Sequence, residues 1–278
     1  MEILLISILL GFITGLVLAL TGAGGTVIAI PLLMFGLHLV IAEAAPIALL
    51  AICLSSAAGA MYAHKQGKVR YRAAGFLAMT GIMTAPVGIW LAHKLPNASV
   101  TILFALILFY IALDMWYQSK KQQDEKATSV SDCQSEASAI PCRLEYKQGR
   151  LIWTWPCARA LVFSGILVGF LSGLLGVGGG FVIVPALKKA TNLPMESILA
   201  TSLAVIALIS ATGVTYAILI DGMNWSITLP FVTGALIGML IGRTAASHLA
   251  GPRLQQGFAV VAMAVSVGMV IRLCLMTD

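Results

Sequence analysis

Charged residues are scarce in this chain: Asp, Glu, Lys and Arg make up 10% of its 278 residues, against 59% hydrophobic ones. That balance lies far outside the range of soluble domains and reads as a membrane protein. Cysteine is sparse as well. Cys53, Cys133, Cys142, Cys157 and Cys274 contain no C-x-x-C pair, so a zinc site is not indicated and free thiols are expected. The N-terminal MEILLISILL lacks a basic n-region, which argues against a signal peptide and for a retained first helix. No H-E-x-x-H or G-x-S-x-G occurs, so no catalytic residue is assigned. Gly176–Phe181 lacks the Lys-Ser/Thr of a P-loop, and TGAGGTV lacks the third glycine of G-x-G-x-x-G, so no nucleotide cofactor is called for. No metal site is called for either.

What the chain has is apolar length. Ten stretches can be marked, at 3–21, 26–37, 44–63, 73–92, 99–117, 158–175, 180–190, 197–220, 227–247 and 255–275. Most approach the ~20 residues that cross a bilayer, but 26–37 and 180–190 fall short. The basic residues sit in short loops rather than on an amphipathic face, which disfavours nucleic acid as a partner despite a net charge of +6. Fifteen of the seventeen Lys and Arg fall on one side of the alternating segments, leaving Lys94 and Arg272 on the other. The positive-inside rule then places both termini outside and the polar 118–157 stretch in the cytoplasm, as expected for the bacterial inner membrane. That stretch, rich in Ser, Gln and charge, reads as a flexible linker between membrane units 1–117 and 158–278.

Those units repeat one another. Shifting the chain by 154 residues lays Gly11, Gly15, Gly22, Gly24, Gly25 and Pro31 on Gly165, Gly169, Gly176, Gly178, Gly179 and Pro185 without a gap. The register continues through Ser56/Ser210, Gly59/Gly213, Tyr62/Tyr216 and Gly88/Gly242. Five segments per half is an odd number, so the second half enters the membrane from the opposite face. The expected fold is all-α and polytopic: two inverted repeats, eight to ten membrane helices, and short broken or re-entrant segments after the glycine clusters. Many secondary transporters are built this way, with the substrate site near midplane.

The glycines divide by spacing. Gly11/Gly15, Gly165/Gly169/Gly173 and Gly234/Gly238/Gly242 follow the small-xxx-small rule of packed membrane helices. Thr21, Gly22, Gly24, Gly25 and Gly176, Gly178, Gly179, Gly180 do not, and each cluster precedes a short segment containing a proline. Irregular backbone survives at membrane depth only where protein or a watery cavity surrounds it. Glycine reaches positive φ, successive amides form an anion-binding nest, and the following helix adds its positive dipole end. The expected site is therefore a small anion held by backbone N–H groups of two breaks facing each other, without a buried Lys or Arg. Thr201 and Ser202 are candidate hydroxyl donors, the alternative being bonds to the i−4 carbonyl or a neighbouring helix. Ser55, Ser56 and Ser210 are further hydroxyls of this kind. Glu43 and Glu196 stand at segment starts, where acids complement a helix N-terminus and a proton-coupling role is the alternative.

With these motifs in hand, the chain resembles the sulfite exporter TauE/SafE family of bacterial membrane permeases. The resemblance is carried by GLVLALTGAGGTVIAIPLL, GFLSGLLGVGGGFVIVPAL, ATSLAVI and MYAHKQGKV, and spans both halves apart from the linker. It implies secondary transport of small sulfur anions such as sulfite, thiosulfate or sulfoacetate, with membrane lipid as the other partner and a homodimer as an admissible assembly. In one place the chain departs from the pattern. The hydroxyl pair of ATSL is replaced in the first half by Pro46, Ile47, Ala48 and Leu49, so any such contact comes from Thr201 and Ser202 alone. An anion channel and an intramembrane enzyme are the alternatives.

Overall fold

The computed structural model describes residues 2–22, 24–67, 71–127, 144–145, 150–151, 155–190, 195–220, 223–249 and 252–277. Ten helices run in chain order: α1 (Glu2–Thr21), α2 (Gly24–Gly36), α3 (Ile41–Lys65), α4 (Tyr71–Lys94), α5 (Asn97–Ala127), α6 (Trp155–Leu175), α7 (Gly180–Ala190), α8 (Met195–Ile220), α9 (Trp225–Leu249) and α10 (Pro252–Thr277). The only strands among the described residues are β1 (Leu144–Glu145) and β2 (Arg150–Leu151), a two-residue antiparallel pair. Helix α5 continues ten residues beyond the expected boundary at 117, and the strand pair lies inside the expected linker; most of the rest of that linker falls outside the described residues.

Among the described residues, five helices are long and apolar enough to cross a membrane: those containing Leu4–Thr21, Ile41–Lys65, Ala74–Ala92, Glu196–Leu219 and Trp225–Thr244. Their outer surfaces carry exposed Leu5, Met83, Leu208 and Leu219, side chains that a water-soluble fold would bury but lipid accepts. This is an all-α, polytopic membrane protein. At 13 and 11 residues, α2 and α7 are too short to span alone. Helix α2 folds back along α1, with Gly25 against Thr14 and Leu18 and Gly36 against Leu10, so the two form a hairpin.

The small-xxx-small glycines do what their spacing predicts. Gly11 and Gly15 of α1 lie on the backbone of Phe231 and Ala235 of α9, while Gly234 and Gly238 lie on the backbone of Ile8 and Phe12. Residue numbers rise together along both chains, so α1 and α9 run parallel. The shift of 154 converts this contact into a second one: Gly165, Gly169 and Gly173 of α6 meet Leu77, Gly81 and Ala85 of α4. Without a Cβ in the way the helix backbones approach closely, which replaces the hydrophobic drive that lipid removes.

At the centre, α3 and α8 cross. Leu49 meets Gly213, Gly59 meets Leu203, and Cys53 donates to the carbonyl of Ala207 at 3.5 Å, so these two equivalent helices run antiparallel. Cys53 is the middle residue of α3 and Ala207 stands at the middle of α8. The remaining pair is tied by Ser266 of α10, whose hydroxyl donates to Ala105 O of α5 at 2.8 Å.

Candidate functional site

Both glycine clusters break the helix, as their composition predicts. Gly22 has φ +71, and its amide closes α1 by donating to Leu18 O at 2.8 Å. In the second half Gly176, Gly178 and Gly179 have φ +67, +68 and +64, separated only by Val177. The Gly176 amide closes α6 on Ser172 O at 2.9 Å. Among the described residues, the amides of Gly178 and Gly179 donate to no backbone carbonyl. Helix α7 begins at Gly180, so these free donors sit at its positive dipole end.

The second break lies at the mid-length of the central pair. A Cβ on Gly178 would stand 2.6 Å from the Ser210 hydroxyl, 3.4 Å from Ile52 and 3.6 Å from Ile206, neighbours of Cys53 and Ala207. Ser210 is fully buried, and its hydroxyl has no hydrogen-bond partner; buried Ser55 of α3 shares that condition. A buried polar group without a partner costs stability unless something else meets it. The amides of Gly178 and Gly179 beside it likewise donate to no backbone carbonyl.

The other expected site residues are placed differently. Thr21 donates to Val17 O at 2.7 Å and Thr201 to Ser197 O at 2.6 Å, the i−4 arrangement that membrane helices commonly use. Ser202 donates to Leu199 O at 2.8 Å and to Gly22 O at 3.2 Å, so it ties α8 to the turn of the opposite half. Gly22 has no room for a side chain, since a Cβ there would lie 2.5 Å from Leu199. Gly24 opens α2, and Gly25 packs back on α1. The structure thus brings Gly22 to Ser202 and Gly178 to Ser210, while the hydroxyls of Thr21 and Thr201 each bond a carbonyl of their own helix.

Two cavities lie at opposite ends of α3. The larger, about 370 Å³, is bounded by Glu43, Leu49, Ile89, Gly176, Gly213 and Tyr216, so it reaches the second glycine break. The smaller, about 220 Å³, is bounded by Gly59, Tyr62, Met239, Arg243 and Thr244. They are counterparts under the 154-residue shift, which carries Gly59 to Gly213, Tyr62 to Tyr216 and Arg243 to Ile89. Between the smaller cavity and the first break stands a buried cluster of Leu18, Ala19, Leu203 and Met239. Exposed Glu43 sits in the first turn of α3 at the rim of the larger cavity, and Glu196 is exposed in the first turn of α8. No cluster of metal-ligating side chains occurs among the described residues.

The sequence alone does not single out Ser210 from the other hydroxyls and expects no buried Lys or Arg at the site. Ser210 was findable from its register with Ser56. Arg243, six residues before the end of α9 and half-buried, carried no such signal, because its counterpart is an isoleucine.

Comparison with known proteins agrees with this architecture. The family model of the sulfite exporter TauE/SafE matches residues 7–269. A "probable membrane transporter protein" of Xylella fastidiosa (strain Temecula1) is 27% identical over 272 residues, covering 95% of this chain and 94% of its own length. The "probable membrane transporter protein YunE" of Bacillus subtilis is 26% identical over 246 residues, with 85% and 86% covered. A "probable membrane transporter protein" of Methanocaldococcus jannaschii is 26% identical over 212 residues, with 74% and 69% covered. No solved structure matches the chain.

Proposed function

The chain belongs to the sulfite exporter TauE/SafE family, and we propose that it is a secondary transporter of the bacterial inner membrane that moves small sulfur-containing anions by alternating access. Sulfite, thiosulfate, sulfoacetate and related organosulfonates form the substrate class. The observation that carries this reading is the Gly176–Gly180 break. Its unengaged amides, the N-terminus of α7 and the unpartnered hydroxyl of Ser210 converge at the mid-length of the central helix pair. Oriented neutral donors stabilise an oxyanion strongly where water is excluded, yet without the full counter-charge that would oppose release.

Alternating access is supported by the antiparallel packing of equivalent helices α3 and α8, as two inverted repeats require. It is supported further by counterpart cavities at opposite ends of α3, one reaching a glycine break and the other closed from the first break by Leu203 and Met239. Charge bias places the larger cavity on the outer side, both termini outside and 118–157 in the cytoplasm.

The test is reconstitution in liposomes with labelled sulfite. A carrier shows saturable uptake, accelerated counterflow when the lumen is loaded with unlabelled sulfite, and recovery of unchanged sulfite. Ohmic conductance without saturation assigns a channel instead, and chemical conversion of the label assigns an enzyme.

A further inference from the structure

We propose that the cavity bounded by Gly59, Tyr62, Met239, Arg243 and Thr244 is a second anion station, in which the guanidinium of Arg243 takes up a small oxyanion at the end of the molecule opposite the Gly176 cavity. This deepens the transport reading and rests on it.

Arg243 is the last residue but one of an apolar stretch, Trp225–Thr244, long enough to cross the membrane, and so stands at its boundary. Its guanidinium stands 5.3 Å from the ring centroid of Tyr62, and Nη1 is 3.6 Å from where a Cβ on Gly59 would sit. A Cβ at position 59 would collide first with Met239 Cε, so the glycine seats Met239 and brings the guanidinium to ordinary contact distance from the α3 backbone. Among the described residues no carboxylate pairs with it. A half-buried guanidinium at that boundary with no carboxylate beside it attracts an anion. The Tyr62 ring flanks the guanidinium, whose planar N–H fork matches the paired oxygens of a sulfonate or sulfite.

The pseudo-symmetry sharpens the inference. The larger cavity repeats the same frame, Gly213 for Gly59 and Tyr216 for Tyr62, but substitutes Ile89 for Arg243. Close packing alone is met by the isoleucine, so the arginine supplies something the other end does not need. One end of the molecule attracts the anion by full charge and the other does not. Capture is therefore unequal from the two faces, with the stronger capture at the end that charge bias places in the cytoplasm.

The experiment compares wild type, Arg243→Gln and Arg243→Lys, each checked for monodispersity by size exclusion. In liposomes with oriented protein, Arg243→Gln is expected to raise the half-saturating sulfite concentration from the Arg243 face by about tenfold or more, and by much less from the opposite face. Arg243→Lys keeps the charge but not the fork, and is expected to fall between. Equal changes from both faces, or none, overturn the station.

Sulfite-induced thermal stabilisation in lipid-free maltoside is expected for wild type and reduced in Arg243→Gln. Should the two proteins differ only after phosphatidylglycerol is added, the cation holds a lipid headgroup and the proposal fails. If wild type moves no labelled anion, transport itself is refuted. The detergent comparison still decides whether Arg243 binds sulfite.

Discussion

Cys53 donates its thiol hydrogen to the carbonyl oxygen of Ala207, and the 154 positions between them equal the shift that lays one half of the sequence on the other. Each residue is therefore the other's counterpart. Both stand at the middle of their helices, α3 and α8. Contacts around them obey the same exchange, Leu49 with Gly213 on one side and Leu203 with Gly59 on the other.

Ser210→Ala removes a hydroxyl that has no hydrogen-bond partner within the protein, so folding stability is expected to stay level or rise. Anion affinity is expected to fall. A hydrogen bond to a charged group contributes about 1.5–3 kcal/mol, so the half-saturating sulfite concentration rises by roughly ten- to a hundredfold. Gly178→Val, which forces a β-branched residue to φ +68 against that hydroxyl, is expected to reach the membrane but to lose flux. Transport at wild-type KM and kcat in both variants removes Ser210 and the glycine break from the site.

Ser202→Ala deletes the bond from α8 to the carbonyl of Gly22. Hydrogen bonds between membrane helices average about 0.6 kcal/mol and reach ~1.7, so a modest fall in melting temperature in detergent is expected. A matched Thr215→Ala, whose bond to Ala211 O stays within α8, should leave the melting temperature closer to wild type. A larger fall in Thr215→Ala than in Ser202→Ala would contradict the cross-half tie.

Gly15→Val places a branched side chain on the backbone carbonyl of Ala235, which cannot move without separating α1 from α9. Overpacking of this kind costs about 1–3 kcal/mol or more. The yield of monodisperse protein is expected to collapse. Gly257→Ala meets nothing within 4 Å on helix α10 and serves as the control, with yield at least equal to wild type.

Single cysteines in a cysteine-free background report orientation. Lys94→Cys, at the α4–α5 connection, is expected to react with a membrane-impermeant maleimide in intact cells, and Lys65→Cys, at the end of α3, only after permeabilisation. The opposite pattern would turn the molecule over and place the Arg243 cavity outside.

Much of the architecture was readable before any coordinates. Apolar run length and glycine placement are local properties, and in lipid they act almost alone. A span must be helical because no water satisfies its backbone, and a cluster of glycines relaxes that rule only inside protein. Hence the number of segments, the helix breaks at Gly22 and Gly176–Gly179, and the repeat were legible as sequence. The small-xxx-small ridges were legible too, although not which helix each would meet.

The hydroxyls and the arginine belong to the fold. A serine or threonine in a helix always has a carbonyl of its own preceding turn within reach, so composition does not say which one will turn away from it. Thr201 keeps that carbonyl and Ser202 shares its hydroxyl with Gly22, whereas Ser210 is left unsatisfied against Gly178, 32 positions earlier. Arg243 meets Tyr62 because a parallel pair, α1 with α9, and an antiparallel pair, α3 with α8, bring the ends of α3 and α9 together. The sequence by itself determined that the chain is helical, doubled and broken at glycine. Tertiary packing decided which polar groups the breaks would meet and that the two cavities would differ, because those outcomes turn on side-chain volumes brought together from distant parts of the chain.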